Sequence, residues 1–133
     1  MLSILPAFLI FLSSFLQDPS GSWILSAKSS KTDFYIKSKY VSKVGSKIII
    51  WTKQVDKVPE EKEGKIIAYG LLLYECDCKN FSTKNLSIID YSESGEVIGK
   101  YNYKDSDIEF AAPGSVGYRN LYEICNRFNK KKK

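Results

Sequence analysis

The middle of the chain consists of short apolar runs separated by turn-forming residues, a pattern typical of β-strands. The strongest run lies within residues 71–80, LLLYECDCKN, and we interpret residues 65–77 as a central strand. A second run, Ile48–Trp51, is β-branched and aromatic, as strands favour. The dipeptide Gly45-Ser46 separates it from residues 40–44 and predicts a two-residue hairpin turn.

Weaker alternation predicts the remaining strands and the segments that connect them. We expect strands at 22–27, 33–36, 82–91 and 96–103, a turn at 92–95, and exposed charged loops at 56–64 and 105–109.

The apolar spacing changes to a helical one near the C-terminus. Pro113-Gly114-Ser115 predicts a helix start, with Ser115 as the N-cap whose hydroxyl accepts from the first-turn amides. Apolar residues then recur at spacings of three to five, a stripe suited to packing on a sheet: Val116, Leu121, Ile124, Cys125 and Phe128. The order of elements predicts an α+β fold, a single antiparallel β-sheet of about six strands with one C-terminal α-helix packed on it.

The first 17 residues differ in character from the rest, because they are apolar and carry no charged side chain. The run is short for a membrane span and has the length of a signal-peptide core, so we predict a secretory signal. The alternatives are an uncleaved N-terminal anchor, the only membrane contact we consider, or a buried helix. We therefore divide the chain into a signal peptide at 1–17, one domain at 18–128 and a basic tail at 129–133.

Three cysteines accompany this predicted export. Cys76 and Cys78 are two residues apart in the central strand and should share a face, and Cys125 lies on the apolar stripe of the helix. One disulfide between this strand and this helix is geometrically natural in an oxidising compartment. Either strand cysteine could be the partner; we favour Cys78 and expect Cys76 to be a small buried residue. A redox Cys-x-Cys pair is less suited to this site, because flanking Glu75 and Asp77 would raise the thiol pKa.

Composition narrows the chemistry further. The chain has no histidine, which removes Ser-His and Cys-His nucleophile pairs and His-containing zinc sites, and we expect a non-enzyme without a cofactor or metal. The net charge is +5, but the basicity comes from lysine, which is poorly suited to bidentate phosphate recognition. Nine tyrosines beside lysines could stack bases, but we interpret them as strand surface and expect no nucleic-acid partner.

Two charged clusters are candidate sites. Asp105, Asp107 and Glu109 could bind Ca²⁺, but no Gly-bearing loop with a closing Glu follows, so we interpret them as a solvated loop. The better candidate for binding an acidic protein or a glycan is the set of lysines around the Pro59 loop: Lys53, Lys57, Lys62 and Lys65.

Several landmarks in this order resemble the surface-adhesin E family of small exported bacterial proteins, over roughly residues 22–126. They are Trp23, the segment 33–36, Trp51, Asp77-Cys78 at a strand end, Tyr91, Gly95, the run 113–117, Leu121 and Cys125. The resemblance implies an antiparallel sheet with a C-terminal helix and a disulfide at positions matching Cys78 and Cys125, with Cys76 additional to the pattern. It implies a secreted, periplasmic or cell-surface protein of a bacterium. The leader lacks a lipidation cysteine, so the membrane tethering of adhesin members is not supported.

We therefore expect an exported, non-enzymatic binding domain, an adhesin-like protein that recognises extracellular-matrix or serum proteins. The alternative is a structural or accessory envelope protein without a host partner. Homodimerisation through an open sheet edge is a further hypothesis, because an unpaired strand invites pairing.

Overall fold

The computed structural model describes residues 22–129, which form ten strands and one helix. The predicted signal peptide and most of the basic tail lie outside these residues. The strands are β1 (Trp23–Lys28), β2 (Thr32–Lys37), β3 (Ser42–Val44), β4 (Lys47–Asp56), β5 (Glu60–Lys62), β6 (Lys65–Ile67), β7 (Tyr69–Asp77), β8 (Ser82–Tyr91), β9 (Val97–Asn102) and β10 (Glu109–Phe110). The helix, α1, is Val116–Phe128.

Eight of the strands form one antiparallel sheet. The order is β1-β2-β4-β7-β8-β10, with β3 pairing β4 and β9 pairing β8. The predicted fold class, an antiparallel sheet with one C-terminal helix linked to it by a disulfide, is confirmed. The sheet has eight strands rather than about six. The strand that the sequence did not predict is β10, which has two residues, whereas β3, with three, lies within the predicted segment 40–44.

The charged segment after β4 differs from its prediction as a loop. Its residues Glu60–Lys62 form β5, which pairs with β6 as a separate two-stranded hairpin. Gly64 has φ +78° in the turn, a left-handed conformation that costs glycine nothing and permits a tight reversal. The predicted central strand is thereby divided at Ala68, whose N–H donates to the Tyr91 carbonyl at 2.8 Å.

The core lies between α1 and one face of the sheet. Six residues that are at most 1% exposed form it: Ile36, Ile48, Ile50, Cys76, Leu121 and Ile124. They come from alternate positions of β2, β4 and β7 and from the helix stripe, as the pleat and the helical repeat require. Burying an isoleucine or leucine side chain contributes about 1.5–3 kcal/mol, so these few contacts hold the helix on the sheet.

The start of α1 has the predicted cap. The Ser115 hydroxyl accepts from the Tyr118 N–H at 3.1 Å and donates to the Ala112 carbonyl at 2.7 Å. One turn further on, buried Asn120 accepts a hydrogen bond from the Ser26 hydroxyl of β1. The cap and this contact orient the helix across the sheet.

A disulfide between Cys78 and Cys125 joins the end of β7 to α1, with a Cα–Cα distance of 5.6 Å and a sequence separation of 47. Closing a loop of this length contributes about 4 kcal/mol in the chain-entropy model. Cys76 is a free thiol, fully buried in the core. Burial, and secondarily the Glu75 carboxylate, raise the pKa of its thiol to about 12. A thiol in this environment is a packing residue rather than a nucleophile.

Candidate binding face

The second face of the sheet also carries apolar side chains. The residues that point away from α1 on β1, β2, β4, β7 and β8 include Asp33, Lys47, Val55, Glu75, Asp77, Lys84 and Ser87. We use the term open face for twelve further residues on that side: Trp23, Leu25, Tyr35, Lys37, Ile49, Trp51, Lys53, Tyr69, Leu71, Leu73, Ile89 and Tyr91. Leu25 is 46% exposed and the others are half-buried. Among residues 22–129, no helix or hairpin packs on this face.

Lys53 is the centre of the open face. Its Nζ lies 4.7 Å from the ring centroid of Tyr69, 5.9 Å from that of Tyr35 and 6.0 Å from that of Trp23. Tyr35 is its cross-strand partner on β2, and the other two rings come from β7 and β1. Cations within about 6 Å of aromatic centroids are attracted by the ring quadrupole, so the three rings hold the ammonium above the sheet.

The aromatic residues around Lys53 also contact one another or a second lysine. Tyr69 and Tyr91 are opposite each other on β7 and β8, and their rings stack at 4.9 Å with 13° between the planes. Lys37 Nζ lies 4.8 Å from the ring centroid of Trp23, its cross-strand partner. These contacts limit side-chain motion, which lowers the entropy that a partner would have to remove on binding.

The carboxylates on the same side of the sheet have partners within the chain. Asp33 lies 3.7 Å from Lys57 Nζ, and Glu75 lies 3.7 Å from Lys47 Nζ. Lys53, by contrast, makes no ion pair with any residue of the 22–129 segment. Its ammonium is therefore available to an incoming anion.

A third carboxylate, at the end of β7, is used by the backbone. Asp77 accepts from the N–H groups of Lys79 and Asn80 at 3.0 and 3.1 Å and from the Asn80 amide. Hydrogen bonding from Asn80 is the main reason that the pKa of Asp77 is lowered. Asp77 therefore closes the β7–β8 turn and leaves the open face without a free acid near Lys53.

The family model for surface-adhesin protein E matches residues 23–126, nearly the whole described chain. The chain belongs to the surface-adhesin protein E family. No curated protein matches the sequence. The family points to an exported or cell-surface, non-enzymatic adhesin whose partners are host or extracellular. Between residues 22 and 129, no helix is long and apolar enough to cross a membrane.

In this surface-adhesin E domain, the four predicted lysines do not lie together. Lys53 is on the open face, and Lys57 is at the end of β4, where it also donates to the Ser29 carbonyl at 2.7 Å. Lys62 is on the opposite side of the sheet, with its Nζ over the Tyr101 ring at 4.4 Å and in contact with the Tyr101 hydroxyl. Lys65 is exposed in the β5–β6 hairpin. A binding role for the four lysines stays a prediction.

The aromatic part of the open face was not assigned a role from the sequence, where the tyrosines were treated as strand surface. A signal was present, because Ile48–Trp51 and Leu71–Leu73 are apolar at successive positions. Successive apolar residues in a strand place apolar side chains on both faces, and one helix can cover only one of them.

Two depressions lie on the helix side. A groove of about 300 Å³ between the start of α1 and the sheet is lined by Tyr74, Asn120 and mainly apolar side chains. A cleft of about 350 Å³ beside the β5–β6 hairpin holds Asp90, whose pKa is raised, mainly by burial. Within the described segment, no three side chains of His, Cys, Asp or Glu are grouped to hold a metal ion.

Proposed function

We propose that this chain is an exported binding domain that recognises an extracellular protein through the open face of its sheet. The observation that carries the proposal is that both faces of β4 and β7 are apolar, while α1 covers only one of them. Trp51 and Leu73 are cross-strand partners on the face that the helix leaves uncovered. A contiguous apolar patch on an uncovered sheet face is a candidate interaction site.

The residue types support protein recognition. Both tryptophans of the chain, Trp23 and Trp51, are on the open face, together with three tyrosines. Tryptophan and tyrosine are enriched among residues that dominate binding energy, because they bury large areas with few rotatable bonds. Membership of an adhesin family also supports a role in protein binding for this surface.

The test is a binding assay of the disulfide-bonded protein on a panel of purified extracellular-matrix and serum proteins at two salt concentrations. Replacing Trp51→Ala or Leu73→Glu should reduce the binding of any captured partner by at least tenfold. Val58→Glu is the matched control, because Val58 is 84% exposed and lies in the loop before β5. Urea denaturation of each variant separates a lost surface from a lost fold.

The alternative function, an accessory envelope protein without a host partner, makes the opposite prediction. It predicts that no protein of the panel binds above the background signal of the assay at either salt concentration. Binding that survives both Trp51→Ala and Leu73→Glu would overturn the open face as the binding site.

A further inference from the structure

We propose that the segment recognised by the open face is a short extended peptide that carries an acidic side chain between apolar ones. The inference rests on the proposed function, and it adds the chemistry of the partner. Its central contact is a carboxylate of the peptide against the ammonium group of Lys53. The flanking apolar side chains of the peptide cover Trp51 and Leu73 on one side and the Tyr69–Tyr91 pair on the other.

The charge distribution on the open face supports an acidic side chain in the peptide. Lys53 is surrounded by the rings of Trp23, Tyr35 and Tyr69, which remove water from its surroundings without neutralising it. The neighbouring acids, Asp33 and Glu75, are paired with other lysines. A carboxylate placed above Lys53 would meet a partly desolvated cation, and the nearby carboxylates are already paired with lysines, which strengthens the attraction relative to a fully exposed pair.

The apolar surroundings favour a peptide over a sulfated or acidic glycan. Ile49, Trp51, Leu71, Leu73 and Ile89 occupy the face beside Lys53. A glycan chain would cover these aliphatic groups with hydroxyls, which lose hydration there without finding hydrogen-bond partners. Peptide side chains can bury the aliphatic groups and reach the ammonium at the same time.

The dimensions favour a peptide over a second copy of the chain. Five neighbouring strands span about 19 Å, and residues 49–53 of β4 span about 14 Å, so the central patch covers roughly 270 Å². A stable dimer interface needs about 800 Å² from each partner. An extended peptide rises about 3.4 Å per residue, so about five residues span the ~14 Å of the patch along β4.

The two tryptophans provide a direct readout, because both lie on the open face and no other tryptophan contributes to the signal. The probe is a capped pentapeptide, Phe-Ser-Glu-Ser-Phe, in which the acidic and the two apolar side chains point to the same side of the extended chain, titrated while tryptophan fluorescence is recorded. Its neutral counterpart, Phe-Ser-Gln-Ser-Phe, has nearly the same shape. We expect saturable binding of the acidic peptide, at least fivefold weaker binding of the neutral one, and weakening of the acidic peptide at high salt.

Lys53→Met tests the contact, because methionine keeps an apolar stem and removes the charge. It should reduce the preference for the acidic peptide to less than twofold. Lys65→Met, the same change on the exposed hairpin, should leave the preference intact. Heparin and a second copy of the chain are the competing occupants. Displacement of the peptide by heparin tests the first, and static light scattering of the protein alone tests the second.

The outcomes separate this inference from the proposed function. Equal affinity for the two peptides, or an unchanged preference in Lys53→Met, would overturn the acidic peptide. Displacement by heparin at tenfold lower concentration than the peptide, or dimerisation that buries the face, would do the same. If Trp51→Ala still abolished capture of a matrix or serum protein, the proposed function would stand without the acidic peptide.

Discussion

Cys76 and Cys78 project from the same face of β7, two residues apart, yet only Cys78 is bonded to Cys125. Cys76 is fully buried beneath the helix, among the isoleucines of β4, whereas Cys78 is at the end of the strand, where α1 passes close to the sheet. Two cysteines two residues apart therefore have different roles: Cys76 packs in the core, and Cys78 forms the disulfide.

Removing the tie should destabilise the domain more than removing the buried thiol. Cys125→Ser should lower the free energy of unfolding by up to about 4 kcal/mol, because the unfolded chain loses its loop constraint. Cys76→Ala should cost about 1 kcal/mol, from the loss of one buried atom. Urea denaturation with and without a reductant measures both. Loss of the reductant effect in Cys76→Ala would mean that the pairing is wrong.

The free thiol should be unreactive in the native state. Cys76 has no exposed surface and a thiol pKa of about 12, so little thiolate is present or accessible at pH 8. We expect no alkylation by iodoacetamide over hours in buffer, and stoichiometric alkylation of one cysteine in denaturant without reductant. Mass spectrometry gives both numbers. Rapid labelling of the native protein would contradict the burial of Cys76.

The two faces of β4 should respond differently to the same truncation. Ile50→Ala empties a fully buried core position and should cost about 2–5 kcal/mol of unfolding free energy. Ile49→Ala, one residue away on the open face, should cost about 1 kcal/mol, because its side chain is only half-buried. Equal losses in urea denaturation would indicate that the open face is covered.

The cap of α1 should contribute independently of the core. Ser115→Ala removes the acceptor of the Tyr118 N–H and should lower the free energy of unfolding by about 1 kcal/mol. Ser115→Thr keeps the hydroxyl and is the matched variant, with little expected loss. Thermal unfolding by circular dichroism compares the two. Identical midpoints for the alanine and threonine variants would count against the cap.

The raised pKa of Asp90 should make the domain less stable as the pH rises. Burial raises its folded pKa above the unfolded value near 3.8, so the native state binds more protons in the window between them. Stability from this group is thus present below pH 3.8 and is lost as the pH rises through the folded pKa. Asp90→Asn should be more stable than the natural protein at pH 7, and the difference should disappear near pH 3.

The control for this comparison is Asp105→Asn, which changes an exposed carboxylate. Asp105→Asn should show no pH-dependent gain in stability when the free energy of unfolding is measured by urea titration at pH 7 and at pH 3. A gain for Asp90→Asn that persists at pH 3 would assign the effect to packing or hydrogen bonding instead of charge.

The sequence alone was sufficient for the elements whose signals are local. The hairpin at Gly45, strand β8, the Ser115 cap and the helix stripe depend on neighbouring residues, and each of these elements is present in the structure. The fold class followed from their order. The β5–β6 hairpin was missed because its residues are charged, and its turn depends on the left-handed Gly64 rather than on apolar alternation.

Only the tertiary structure decided which apolar face is covered. Strands β4 and β7 are apolar on both sides, and the chain has one described helix to place on them. The position of the helix follows from the Cys78–Cys125 bond and from the packing of Leu121 and Ile124 on the core. The open face is the side of the sheet that the helix does not cover. Pairing between strands far apart in sequence places Trp23, Tyr35 and Tyr69 around Lys53, which no local pattern could specify.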